Sequence, residues 1–181
     1  MPPFLTHLPD LDALLAPYEG KIGPAFTGYK NHVLRMLNFC FYLANPEEEA
    51  RKKLIIAGAF HDIGIWTAGT MDYLAPSVKE AMNCLDGQHL GAWREEIALM
   101  ISEHHKIRPA HCPEYPLVEV FRQADLVDFS LGMIKQGIPS EFVQAVRKAI
   151  PNAGFHRNLA RLAWHRLRTE PFKNPAPMVK W

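Results

Sequence analysis

The 181-residue chain lacks the short motifs that mark several common enzyme classes. It contains no Gly-rich phosphate loop of the GxGxxG or GxxxxGK type, which argues against a dinucleotide-binding or P-loop protein. It has no Gly-x-Ser-x-Gly sequence, so a serine-hydrolase interpretation has no support. Its three cysteines, Cys40, Cys84 and Cys112, show no CxxC spacing. This spacing argues against a disulfide framework and against a zinc ribbon.

An excess of charge and long apolar runs are also absent. Lys+Arg number 20 and Asp+Glu 19, so a formal net charge of +1 gives no bulk attraction to nucleic acid or to a membrane surface. No apolar run approaches membrane-spanning length, and the N-terminus has no signal-peptide pattern. We therefore expect a cytoplasmic protein with neither nucleic acid nor membrane as partner. The length indicates one domain over residues 1–181, and the oligomeric state is left open.

Apolar residues recur at helical spacing, and no stretch alternates with a period of two, which predicts an all-α fold. We expect a bundle of roughly seven helices around one core, with a motif-bearing part at about 29–131 and C-terminal helices with a Pro-rich tail at 139–181. A loop is expected through Gly23-Pro24 and Gly28. One predicted helix begins near Glu47 and carries the pair His61-Asp62. The other predicted helices cover about 29–43, 76–85, 93–105, 117–131, 140–150 and 158–169, with a short helix at 10–15 before them.

The chain is rich in histidine, with nine in all, and the pair His61-Asp62 ends an apolar helical run. Ionisable groups in such a place are costly to bury unless something compensates them, and a divalent metal suits both imidazole nitrogen and carboxylate oxygen. His at a helix end followed by a Gly cap is the ordinary alternative. The wider pattern favours the metal, because His32 and Asp125 lie on the inward faces of two other predicted helices. His32, His61, Asp62 and Asp125 are thus predicted metal ligands in the bundle core.

A second metal site is predicted beside the first. His89 follows the turn Asp86-Gly87, and His104 and His105 end an amphipathic helix. A carboxylate such as Asp62 can bridge two ions, which then share a hydroxide poised to attack phosphorus. We expect one or two divalent ions from among Mn, Co, Mg, Ni, Zn and Fe. Whether His104, His105 or both bind is left open.

The order His, His-Asp, Asp resembles the HD superfamily of metal-dependent phosphohydrolases. The resemblance covers about Tyr29 to Leu131 and rests on three sequences: His61-Asp62-Ile63-Gly64, Glu103-His104-His105, and Arg122-Gln123-Ala124-Asp125-Leu126-Val127-Asp128. It places His32, His61, Asp62 and Asp125 at the four defining positions of the family. The additional histidines His89, His104 and His105 resemble those of the family branch that binds two or three metals. That branch includes cyclic-dinucleotide phosphodiesterases, and di-iron oxygenases are related to it.

The chain departs from known branches of that family at several positions. Ile65 stands where Gly-Tyr-Pro phosphodiesterases carry Lys and where the bacterial deoxynucleotidases carry an acidic residue, and Glu114-Tyr115-Pro116 only partly matches the Gly-Tyr-Pro signature. Gly28 stands where a glutamate for a third metal would lie. Three metals are therefore not expected, and the substrate is left open.

The sequence thus predicts a phosphohydrolase that hydrolyses a small phosphoester, such as a nucleotide, with a metal-activated water. His61 and Asp62 are the predicted catalytic residues at the ions, and Lys106 or Arg108 would orient the anionic substrate. Asp128 is predicted to support a ligand or to be solvated. The loop residues Asp72 and Tyr73 either overhang the site or are ordinary residues of the loop, and this is left open. Two alternatives are a di-iron oxygenase on the same scaffold and a non-catalytic HD-like signalling module.

Overall fold

The computed structural model describes residues 2–169, and every regular element in that part of the chain is a helix. Seven helices have ten residues or more, as the sequence pattern predicted. In chain order the helices are α1 (Pro9–Leu15), α2 (Glu19–Ile22), α3 (Phe26–Ala44), α4 (Glu48–Phe60), α5 (Gly64–Thr67), α6 (Leu74–Gly87), α7 (Arg94–Glu103), α8 (Leu117–Phe129), α9 (Ser140–Ala149) and α10 (Phe155–Thr169). The predicted Pro-rich tail lies outside the described residues.

Helix α3 lies at the centre of the bundle and packs against α4, α8 and α9. Its packing against α4 is close because α4 presents Gly58 to it. A Cβ atom at Gly58 would lie 3.2 Å from side-chain atoms of Val33, Met36 and Leu37. The second half of α4 is buried on every side from Leu54 to Phe60, whereas its first turn carries exposed acidic residues that suit the helix dipole. The chain thus delivers the residues after Phe60 directly into the core.

Most apolar side chains of the bundle form one continuous core that runs from Leu8, just before α1, to Phe155, the first residue of α10, and Ile65 and Tyr73 belong to a second, small buried cluster. Helix α7 packs against α4, α6 and α8, and α8 packs against α3 along its length. Helices α3, α4, α7 and α8 therefore meet around a common centre. None of the described helices is long and apolar enough to cross a membrane.

The prediction of a loop through Gly28 is wrong, because α3 begins at Phe26 and Gly28 lies in its first turn. This glycine is needed for packing rather than for a turn. A Cβ atom there would lie 3.0 Å from the Ala153 carbonyl oxygen and 3.2 Å from the Phe155 nitrogen. The missing side chain lets the start of α10 reach α3. The other long helices begin and end within about three residues of their predicted bounds.

Candidate metal centre

His61 and Asp62 lie immediately after α4, and both are buried. The Nδ1–H of His61 donates to the Gly58 carbonyl oxygen at 2.8 Å, three residues back in the last turn of the helix. This hydrogen bond fixes the tautomer and leaves Nε2 as the nitrogen that faces the bundle centre. The Nε2 atom lies 3.4 Å from Asp62 Oδ2. The helix end therefore presents one imidazole nitrogen and one carboxylate oxygen side by side.

His32 meets this pair from the middle of α3. Its Nδ1–H donates to Asp128 Oδ2 at 2.8 Å, and its Nε2 lies 3.1 Å from His61 Nε2. Two imidazole nitrogens at this distance repel each other unless a proton or a metal ion lies between them. The Phe155 ring stacks flat on the imidazole, with ring centroids 4.2 Å apart and planes 11° apart. His32 is thus held by a carboxylate on one edge and by an aromatic ring on one face.

Asp125, on α8, completes this first donor group. Its Oδ1 lies 3.4 Å from His32 Nε2 and 3.9 Å from His61 Nε2. Metal–ligand bonds of about 2.0–2.2 Å place neighbouring donors about 2.8–3.6 Å apart in tetrahedral or octahedral geometry. Most of the donor spacings fall in that range, and the longest exceeds it slightly. The structure brings together the four residues that the sequence predicted as ligands, from α3, the end of α4, and α8.

A second donor group lies on the other side of Asp62 and consists of Asp62, His104 and His105. His104 follows the last residue of α7 as His61 follows α4, and its Nδ1–H donates to the Ile101 carbonyl oxygen at 2.7 Å. Its Nε2 lies 3.5 Å from Asp62 Oδ1, and His105 Nδ1 lies 4.0 Å from Asp125 Oδ2. Asp62 therefore points one oxygen at each group, as a bridging carboxylate does.

Two atoms in this cluster have no hydrogen-bond partner although they are fully buried, namely Asp62 Oδ1 and His104 Nε2. A buried polar atom without a partner costs about 1–3 kcal/mol. The two atoms lie 3.5 Å apart, which is too far for a good hydrogen bond. The same distance suits two ligands of one metal ion. The donor set, imidazole and carboxylate, also matches divalent first-row metals. On these observations the residues fit a metal ion.

Burial and mutual charge shift the pKa values of the cluster in opposite directions. Burial lowers the pKa of His61 to about 3, so this imidazole is neutral and able to bind metal. Burial, together with the charges of Asp62 and Asp128, raises the pKa of Asp125 to about 6 against the attraction of His104 and His32. Burial alone would lower the pKa of His104, but Asp62 and Asp125 raise it above the usual 6.5. Strongly perturbed groups in one cluster are typical of functional sites.

Asp128 is fully buried and accepts a hydrogen bond from His32, a predicted ligand, so it is not solvated. Besides His32 it accepts two hydrogen bonds from Arg35, from Nε at 2.6 Å and from Nη2 at 2.7 Å. Sequence reasoning missed Arg35 and Phe155. A signal for Arg35 was present, because an arginine three residues after His32 in an otherwise apolar helix needs a buried acidic partner.

The structure does not bring His89 to the cluster, contrary to the prediction. This residue is exposed just beyond α6, with a left-handed φ of 59°. Its chain neighbours Gln88 and Leu90 line a groove with Asp10 and Lys52, at the opposite end of α4 from His61. The direction in which α6 runs places its C-terminal turn, and with it His89, beside the first half of α4 and away from the cluster.

Lys106 and Arg108, the predicted substrate-orienting residues, follow the histidine pair. The Lys106 ammonium is paired with Glu103 at 2.7 Å, and Arg108 is exposed. In the loop between α5 and α6, Asp72 is exposed, but Tyr73 is buried and its hydroxyl lies 2.6 Å from His105 Nε2. Of these four residues, Tyr73 is the one whose side chain lies within hydrogen-bond distance of a residue of the two donor groups.

No protein-family model matches the chain, and neither a curated protein nor a solved structure matches it. Membership of the HD superfamily therefore stays a prediction, carried by the quoted sequence motifs and by the arrangement of the cluster.

Proposed function

We propose that this protein is an HD-type metal-dependent phosphohydrolase that acts on a small phosphoester. The observation that carries the proposal is the pair of donor groups that share Asp62, with three imidazole Nε2 atoms and two carboxylates directed into one buried space. Burying these imidazoles and carboxylates is unfavourable in free energy, and a non-catalytic module has no use for them. The donor groups support metal binding, whereas the choice of a phosphoester as substrate rests on the resemblance to the HD superfamily.

His32, His61, Asp62 and Asp125 would hold the first ion, and Asp62, His104 and His105 the second. When bound, such ions lower the pKa of a water molecule and stabilise charge on phosphoryl oxygens. The protein residues have the remaining tasks. Asp62 holds the two donor groups at a fixed separation, and the carbonyls of Gly58 and Ile101 keep His61 and His104 in the ligating tautomer. Arg108 is the better candidate to bind the anionic substrate, because Lys106 already pairs with Glu103.

The proposal is tested by elemental analysis of protein purified without chelators, followed by a panel of small phosphoesters. We expect one or two divalent ions per chain and metal-dependent release of phosphate. Asp62→Ala should bind no ion and show no turnover, because both donor groups lose their shared ligand. Asp10→Ala is the matched control, since it removes an exposed aspartate in the groove at the opposite end of α4 from His61 and should keep both properties.

Three results would contradict the proposal. Full turnover in Asp62→Ala would place the chemistry elsewhere, and protein that takes up no metal would remove its basis. Two irons per chain with consumption of oxygen would favour the di-iron oxygenase, because the same donor set also suits iron.

A further inference from the structure

The histidines of the two donor groups are not all held in the same way. His32, His61 and His104 each donate from Nδ1, to Asp128, to Gly58 and to Ile101, so each presents Nε2 to the centre. His105 differs, because its partnered nitrogen is Nε2, which lies 2.6 Å from the Tyr73 hydroxyl. The remaining nitrogen, Nδ1, is the one on the side of Asp125 Oδ2, at 4.0 Å. The hydrogen-bond partner of His105 thus determines which nitrogen can bind a metal.

Tyr73 is fixed in place by the turn that carries the His61-Asp62 pair. Its carbonyl oxygen accepts the Ser77 N–H at 2.8 Å, and Ser77 Oγ in turn accepts the Gly64 N–H at 2.9 Å. The Tyr73 side chain packs on Ile65 in a small buried cluster. The Tyr73 side chain and the turn after α4 that carries His61 and Asp62 are therefore packed together, although Tyr73 lies nine positions after Gly64 in sequence.

A phenol can play two parts toward an imidazole. If the Tyr73 oxygen accepts the Nε2–H of His105, Nδ1 keeps its lone pair and is able to bind an ion. If the Tyr73 O–H donates to Nε2, the hydrogen lies on Nδ1 and His105 cannot bind through that atom. In the first arrangement the phenol hydrogen stays available for a second acceptor. Burial raises the pKa of Tyr73, and the nearby carboxylate of Asp62 raises it further, so Asp62 is close enough to be that acceptor.

We propose that Tyr73 is the positioning residue of the second donor group: its oxygen accepts the Nε2–H of His105, so that His105 binds the second ion through Nδ1. The inference rests on the proposed function, since it requires that Asp62, His104 and His105 hold an ion. Tyr73 would then fix the tautomer of His105, as Asp128 and two helix carbonyls fix the tautomers of the other three histidines. It also makes the second ion depend on a residue that the first ion does not contact.

The first experiment is a metal titration of Tyr73→Phe with Mn²⁺, compared with the wild-type protein. Loss of a partner that orients a metal-binding histidine typically lowers metal affinity about 10–100-fold. We expect that loss for one of the two ions and no change for the other. Tyr18→Phe is the matched control, because the Tyr18 hydroxyl likewise makes a side-chain hydrogen bond, to Glu80 at 3.0 Å, and Glu80 belongs to neither donor group. It should bind both ions as the wild type does.

The second experiment reads the tautomer directly and does not depend on turnover. In zinc-loaded protein with ¹⁵N-labelled histidine, we expect the hydrogen on Nδ1 for His32, His61 and His104 and on Nε2 for His105. A hydrogen on Nδ1 of His105 overturns the proposal. In the His105→Ala background, Tyr73→Phe should cause no further loss of affinity, since Tyr73 acts through that histidine.

The failure of this inference and the failure of the proposed function look different. If the wild type binds two ions and Tyr73→Phe binds them equally well, the role of Tyr73 is refuted and the proposed function stands. If the wild type binds no ion, the proposed function fails and this inference fails with it.

Discussion

Asp128 shows how one buried carboxylate can set the state of its surroundings. Burial opposes its ionisation, but hydrogen bonds from His32 and Arg35 outweigh burial and lower its pKa far below the usual value. The ionised carboxylate holds His32 Nδ1–H in place and offsets the charge of Arg35, which is itself buried. A carboxylate behind a metal-binding histidine fixes the ring and raises its basicity. Asp128 is therefore part of the site although it faces away from the donor groups.

Asp125 leads to a prediction about pH. Its pKa of about 6 means that below this pH the carboxyl is protonated in the metal-free protein, so an incoming ion must displace a proton. His61, with a pKa of about 3, does not compete, whereas His104 does over a higher range. Metal affinity should therefore fall as the pH is lowered from 7 to 5, most steeply below pH 6.

The measurement is calorimetric titration at several pH values in two buffers of different ionisation enthalpy, which counts the protons released. In Asp125→Asn the number released should decrease by close to one at pH 5 and by about one half at pH 6, because a carboxamide carries no titrating proton. An equally steep pH dependence in the variant would show that another group supplies the proton.

At the scale of elements, Gly64 allows α6 to begin against the turn that carries the ligands. A Cβ atom there would collide with the Tyr73 carbonyl oxygen and lie 2.9 Å from Ser77 Oγ and 3.0 Å from Pro76. We predict that Gly64→Ala destabilises the protein by about 1–3 kcal/mol, the usual cost of overpacking, and weakens binding of the second ion because Tyr73 is displaced.

Urea unfolding and metal titration of Gly64→Ala check this prediction, with Gly87→Ala as control. Gly87 ends α6, and a Cβ atom added to it meets nothing within 4 Å. The control should change the free energy of unfolding by less than about 1 kcal/mol and should leave metal binding unchanged. Similar losses in both variants would mean that the loss in Gly64→Ala does not come from the contact with Tyr73, because an alanine in a helix is otherwise more stable than a glycine.

The helices themselves follow from the sequence because apolar spacing records which face is buried. The four primary ligands were predicted for the same reason, since an unpaired His or Asp on an inward face needs compensation. The contacts between distant elements were not predictable in this way. Gly28 was taken for a loop residue because its value lies in contact with Ala153 and Phe155, more than 120 residues away in sequence. His89 was taken for a ligand because spacing along the chain does not tell at which end of the bundle a turn will lie.

Tyr73 was predictable in part, because its position in the loop follows from the sequence but its contact with His105 does not. The sequence placed it in the loop after the His-Asp pair, from which overhang of the site was a reasonable expectation. Its contact with His105 depends on the register of α6 against the ligand turn, which Gly64 and Ser77 determine together. Local pattern predicts that the loop passes the site, and only tertiary packing decides which side chain of the loop enters it.

At the scale of the whole molecule, the two donor groups join four long helices that are far apart in sequence. His32 lies on α3, His61 and Asp62 follow α4, His104 and His105 follow α7, and Asp125 lies on α8. An ion bound here contacts only the folded chain, since the unfolded chain has no preformed site. Metal binding and global stability should therefore be coupled.

This coupling predicts the size of a thermal shift. At about 100 times the dissociation constant, a bound ion stabilises the folded state by about 2.7 kcal/mol, which corresponds to a rise in Tm of about 5–10 °C for a chain of this length. Scanning calorimetry with Mn²⁺ and with a chelator should show this difference for the wild type. Asp62→Ala should show no shift, because both groups lose their shared ligand, and Tyr73→Phe should show a smaller shift than the wild type. A full shift in Asp62→Ala would contradict the proposal, because it would show that the stabilising ion does not bind through Asp62.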